Sequence, residues 1–110
     1  MPANKENDVN ITSLTGTVLH VGKILTAETF LLEIDVSIYK QTRMGPKLST
    51  IKVVLFDTLA ADHEADIVKG QRLFVSGEID ETAFYRDRST LREFRVVGRF
   101  VKIIGPAVSA

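Results

Sequence analysis

The chain has 110 residues, 45% of them hydrophobic, with 14 basic side chains against 14 acidic ones and no cysteine. That length supports one compact core and is short for two. A formal net charge of zero gives no bulk attraction to nucleic acid or to a membrane surface, so any basic binding face must come from patterning. Without Cys there are no disulfides, thiolate metal sites or thiol nucleophiles, and a reducing compartment, the cytoplasm, is the expected location.

Met1 to Asn10 is polar and of mixed charge, which predicts a flexible N-terminal segment over 1–10 carrying no secretory or organellar address. No apolar run approaches the roughly 20 residues needed to cross a bilayer, so no membrane association is expected. A first strand is predicted from Ile11 to Val21, with Leu14, Gly16, Val18 and His20 on one face and Thr15, Thr17 and Leu19 on the other. Gly16 inside that pattern predicts a bend or a close backbone approach. A second strand, Thr29 to Tyr39, alternates Phe30, Leu32, Ile34, Val36 and Ile38 toward the core against Leu31, Glu33, Asp35, Ser37 and Tyr39.

Gln41 to Ser49 contains Met44-Gly45-Pro46-Lys47 and reads as a mobile basic loop carrying Arg43 and Lys47 just after Lys40, with no acid. Strand three, Thr50 to Phe56, sets Ile51, Val53 and Leu55 against Thr50, Lys52, Val54 and Phe56. A helix of about three turns follows, with Asp57 or Thr58 as its cap, Leu59 and Ile67 facing inward, and Lys69-Gly70 closing it. Arg72 to Tyr85 and Leu91 to Ile104 then pair as a long hairpin over the polar tip Arg86-Asp87-Arg88-Ser89-Thr90. In the last strand Phe94, Val96, Gly98 and Phe100 lie opposite Glu93, Arg95, Val97 and Arg99.

Three strands, one helix and two strands is the order of an all-β OB-fold, a five-stranded Greek-key barrel with one short helix between strands 3 and 4. The barrel is expected over 11–105, with 106–110 a short C-terminal tail. OB barrels bind oligonucleotides, sugars or proteins, so the fold does not fix the function.

Catalysis finds no support in the residues. His20 and His63 are far apart, and His63-Glu64 lacks the second His four residues after the first that a zinc-protease helix needs. Asp62, His63, Glu64 and Asp66 sit at successive helical positions that point in different directions. No phosphate loop, nucleophile elbow or triad spacing is present. The chain is therefore expected not to be an enzyme and to use no cofactor and no metal.

What remains is aromatic and basic residues sharing strand faces that periodicity leaves to solvent, the combination that stacks bases and tracks phosphates. Lys52 and Phe56 share one face of strand three, where Phe56 could alternatively pack beneath the helix. Tyr39 opens into the basic loop, or is simply a strand-edge Tyr with a wet hydroxyl. Phe84 and Tyr85 are adjacent, so at most one is core, and Arg86, Arg88 and Arg92 surround the tip. The alternative there is a hairpin salt-bridged through Asp87 and Glu93. Arg95 and Arg99 on the last strand can be neutralised by Glu78, Asp80 and Glu81 across the ladder.

From Thr50 to Gly77 the order Val53-Val54-Leu55-Phe56, Leu59-Ala60, Lys69-Gly70 and Phe74-Val75-Ser76-Gly77 resembles the bacterial single-stranded DNA-binding protein family, and Asn10 with Leu14-Thr15-Gly16-Thr17-Val18 resembles its first strand. The resemblance implies that Phe56 falls on a DNA-contacting Phe, Phe84 on a stacking Trp, Tyr39 near another stacking Trp, and Lys52 on a basic position between them. It implies single-stranded DNA as partner, a homo-oligomer (tetramer or dimer), and a role in replication, recombination or repair. Thr50 stands where that family commonly has Trp, and this chain has none, which implies weaker stacking than usual. Gly105 to Ala110 carries no acidic tip, so recruitment of other proteins through an acidic tail is not expected. In this the chain also resembles the primosomal replication protein, a dimeric relative that assists helicase loading.

The expected DNA-binding set is thus Tyr39, Lys40, Arg43, Lys47, Lys52, Phe56, Phe84, Arg86, Arg88 and Arg92. Stacking does not read the 2′-hydroxyl, so RNA stays open beside DNA. Two other classes stay open, a protein-interaction module with the same fold and an enzyme without a familiar motif.

Overall fold

The computed structural model describes residues 8–105. Five strands, β1 (Thr12–Leu25), β2 (Phe30–Thr42), β3 (Gly45–Phe56), β4 (Arg72–Arg86) and β5 (Ser89–Gly105), close into a barrel in the order β1-β2-β3-β5-β4, with one helix, α1 (Asp57–His63), between β3 and β4. All pairings are antiparallel except β3 with β5, which run parallel through Lys52–Arg95, Val53–Val96 and Val54–Val97. This is the OB-fold that the strand order predicts.

The core follows from period-two alternation. Leu32, Ile34 and Val36 of β2 meet Leu55, Val53 and Ile51 of β3 in register, and Val18, Leu73, Val75, Val96 and Val101 complete the inner layer. Full burial of such side chains contributes roughly 1.5–3 kcal/mol each. Ala60 of α1 and Ile67 beyond it are buried with this cluster, and Leu59 packs against it. Phe30 is half-buried at the edge of that layer, and Ile38 lies outside it.

Gly16 is a point of close approach, as its place in the strand predicts. A Cβ there would lie 2.6 Å from the Ser37 carbonyl oxygen and against Val36 Cγ1. The oxygen belongs to backbone and cannot swing away, so Gly16→Ala must part β1 from β2. The expected cost is about 1–3 kcal/mol, read as a lower urea midpoint with the slope unchanged.

The structure corrects several further expectations. Gln41 to Ser49 is not a loop: β2 and β3 stay paired through Lys40–Lys47 to Thr42–Gly45, leaving only Arg43 and Met44 in the turn. Thr42 closes it, its hydroxyl donating to the Gly45 carbonyl (2.7 Å) and accepting from the Met44 amide (3.1 Å), while Gly45 takes φ 107°. The Gly-Pro pair therefore ends a hairpin turn rather than breaking the sheet. The helix, secondly, is seven residues long and neither Asp57 nor Thr58 caps it: Phe56 holds the cap position with no side-chain hydrogen bond. Asp57 instead takes φ 51°, the left-handed turn from strand into helix that Asp tolerates better than most residues.

Thirdly, Phe100 does not share the inner face of Val96 and Gly98. The β4–β5 register shifts between Ser76 and Gly77, so Val101 turns inward and Phe100 is left 53% exposed, its ring edge-to-face with Phe74 at 6.1 Å. Fourthly, Phe94 keeps the alternation of Val96 but is 62% exposed, because the β4–β5 hairpin runs on past its last contact with β3 at Arg95 and has no core there to face. The tip of that hairpin is tighter than expected. β4 reaches Arg86 and β5 starts at Ser89, with Asp87 and Arg88 at φ 51° and 64°, the positive pair of a two-residue type I′ turn.

Candidate nucleic-acid interface

The parallel pairing of β3 with β5 decides where the two hairpins point. Both strands begin at a hairpin turn, and both run from it toward the Lys52–Arg95 pair. The β2–β3 and β4–β5 tips therefore project from the same end of the barrel, each by about 20 Å at the usual rise per residue. α1, which follows β3, lies at the other end.

Alternation sorts the β2–β3 arm into two faces. Tyr39 pairs with Leu48, Ser37 with Thr50, Asp35 with Lys52 and Leu31 with Phe56, so Tyr39, Thr50, Lys52 and Phe56 share the outer face of the sheet. Tyr39 and Leu48 are 61% and 71% exposed, and the Tyr39 hydroxyl donates to Gln41 Oε1 at 2.9 Å. From Tyr39 to Phe56 this face runs about 27 Å at the strand rise. On the opposite face Lys40 stands directly across from Lys47. Like charges so placed repel, and neither makes an ion pair among the described residues. The same is true of Arg43 in the turn and of Arg86 and Arg88 at the other tip, all exposed.

Two of the expected cations are engaged within the chain. Lys52 Nζ lies 3.5 Å from Glu33 Oε2 and 3.8 Å from Glu93 Oε1. Arg92 donates to Glu81 across the β4–β5 ladder, not to Asp87 or Glu93. Arg95 and Arg99 are neutralised by Asp80 and Glu78 as the sequence predicts. The backbone of Phe84 pairs with that of Leu91, and its side chain lies outside the described residues, as do 1–7 of the N-terminal segment and the tail 106–110.

Phe56 is absent from the core cluster on which Leu59 and Ala60 of the helix pack. It is half-buried on the outer face, with the Arg95 guanidinium carbon 5.7 Å from its ring centre. Together with Asn10, Glu78, Ile79, Asp80, Val97 and Arg99, the two side chains line a cleft of about 540 Å³. Asn10 closes one wall, its amide donating to the Ile79 carbonyl (2.8 Å) and its oxygen accepting from the Ile79 amide (3.0 Å), as a further residue of β1 would.

Sequence reasoning missed Arg95 as a partner of Phe56 and the exposure of Phe94, and it left open which of Phe84 and Tyr85 is core; Tyr85 is 72% exposed. The length of the β4–β5 hairpin, greater than the barrel wall alone needs, was the available signal for the exposure of Tyr85 and Phe94.

No family model matches the sequence, and no curated protein matches it either. A solved structure does: the Plasmodium falciparum SSB complex with ssDNA superposes with a TM-score of 0.76, covering 94% of this chain and 99% of that one, at 16% sequence identity. At that identity the likeness establishes the fold.

Proposed function

We propose that the chain binds single-stranded DNA without strong sequence preference, holding exposed strands during replication, recombination or repair. The observation that carries this reading is the placement of five cations that make no ion pair among the described residues, Lys40, Arg43, Lys47, Arg86 and Arg88, on two hairpins that leave the same end of the barrel. A neutral protein presents a local positive field at these tips, where Lys40, Arg43 and Lys47 have no acid beside them and Arg86 and Arg88 flank the single Asp87. Tyr39 lies on the β2–β3 arm, Phe56 lies further along the same outer face in the barrel wall, and Phe84 is assigned to the other hairpin. Stacking on such rings contributes roughly 1–3 kcal/mol per base and tolerates any base. The fold shared with an SSB–ssDNA complex supports the same reading, and no chemical step is assigned to the chain.

Lys52 and Arg92, by contrast, have to leave Glu33, Glu93 and Glu81 before they can reach a phosphate. We therefore assign the phosphate contacts to the five tip cations. The test is a titration with labelled oligo-dT over a series of salt concentrations, in which the slope counts the phosphates neutralised.

A further inference from the structure

The cleft around Phe56 is chemically unlike the tips. Its two guanidinium groups are each matched by a carboxylate, Arg95 with Asp80 and Arg99 with Glu78, and its outer-face floor is Val97, 8% exposed, beside the Phe56 ring. A phosphate entering it would meet two carboxylates and gain little from arginines already paired. A neutral, planar ligand suits it better, and about 540 Å³ falls within the ~300–1,000 Å³ of ordinary ligand sites.

The hydrogen-bonding capacity of the cleft is one-sided. Arg99 donates through Nε (3.0 Å) and Nη2 to Glu78 Oε1 alone. Arg95 likewise donates through Nε (3.2 Å) and Nη2 (3.1 Å) to Asp80 Oδ2 alone. The other oxygen of each carboxylate accepts no hydrogen bond among the described residues. An ionised carboxylate only accepts, so the ligand should bring N–H donors.

We propose that this cleft holds one base of the bound strand and favours guanine, stacked on the Phe56–Arg95 layer, with its Watson–Crick edge donating to the free Oε2 of Glu78. Guanine carries the N1–H and N2–H₂ donors side by side on that edge. Adenine and cytosine offer an amino group, whereas the single N–H of thymine is flanked by two carbonyls that a carboxylate repels. Guanidinium planes are stacking surfaces for unpaired bases, and Asp80 acts as a positioning residue by holding the Arg95 plane across Phe56. The inference rests on the strand-binding reading above. It adds a preference at one nucleotide to contacts that otherwise accept any sequence.

The test compares a fifteen-nucleotide oligo-dT with the same oligomer carrying one central dG, and with one carrying deoxyinosine, which lacks the N2 amino group. The dG oligomer is expected to bind on the order of fivefold tighter than all-dT, the scale of one additional net hydrogen bond, with the inosine oligomer between. In Glu78→Gln the dG-to-dT ratio should fall toward one. Equal affinities of the wild-type protein for all three oligomers, or a guanine preference that survives Glu78→Gln, would overturn the assignment while leaving strand binding intact. Binding of none of them would overturn strand binding itself.

Discussion

Reversing both Lys40 and Lys47 to Glu is expected to weaken oligo-dT binding by about a hundredfold while changing stability by less than about 1 kcal/mol. Hydrogen bonds to charged groups contribute roughly 1.5 kcal/mol or more each, so losing two such phosphate contacts accounts for about that factor before any repulsion is added. The double reversal is informative because of the register. Lys40 and Lys47 stand directly opposite each other on an exposed hairpin, so two Glu residues there repel each other as two Lys residues do. The self-energy of the pair is nearly conserved, and only the sign of the field offered to the ligand changes. The single variant Lys47→Glu supplies the internal control: it creates an opposite-charge cross-strand pair, which should stabilise the hairpin by roughly 0.2–1 kcal/mol and still weaken binding. Urea unfolding and fluorescence anisotropy on the same samples separate the two effects. Unaltered affinity in the double variant would remove the β2–β3 tip from the interface.

Tyr39→Ala should cost roughly 1–3 kcal/mol of binding free energy, the loss of one stacked base, with no measurable change in folding stability. The ring is 61% exposed and its hydroxyl reaches only Gln41, two residues away on the same strand, so little of the fold depends on it. Tyr39→Phe keeps the stacking face and is expected to bind within about twofold of wild type, since the hydroxyl contact lies within the strand itself and a hydrogen bond of that kind contributes little net. If Tyr39→Ala and wild type bind alike, Tyr39 is a wet strand-edge residue and the stacking on this arm must fall elsewhere, with Leu48 its nearest exposed neighbour.

The barrel was legible because its wall is amphipathic. Leu32, Ile34 and Val36 alternate without interruption, and so do Ile51, Val53 and Leu55, so strand positions and inward faces follow from period two alone. Where the chain leaves the barrel that rule has nothing to act on. Residues 41–49 hold only Met44 and Leu48 as large apolar residues, both exposed, around a Gly-Pro pair, and so short a pattern cannot distinguish an unsupported hairpin arm from a loop. The face of Phe100 was lost to a register shift beside Gly77, after which β5 points the other way through Ile103. Phe94 kept its face and was still misread, since inward alternation implies burial only where an opposite wall exists.

The candidate site was legible in the faces its residues take and illegible in their partnerships. Tyr39, Lys52 and Phe56 do share one outer face, as alternation predicts. That Lys52 lies near both Glu33 and Glu93, that Arg92 reaches Glu81, and that Arg95 lies over Phe56 all depend on which strands lie side by side. Ion pairing across a ladder is a property of register, and it divides the expected basic residues into free and engaged ones.

The salt dependence of oligo-dT binding tests the central claim most directly. If the five tip cations Lys40, Arg43, Lys47, Arg86 and Arg88 carry the phosphate contacts, log K against log salt should fall with a slope of about −3.5 per barrel, at about −0.7 per phosphate neutralised on a single strand. Recruitment of Lys52 and Arg92 as well would steepen it toward about −5. Absence of binding at low salt, or binding that salt does not weaken, would contradict the account.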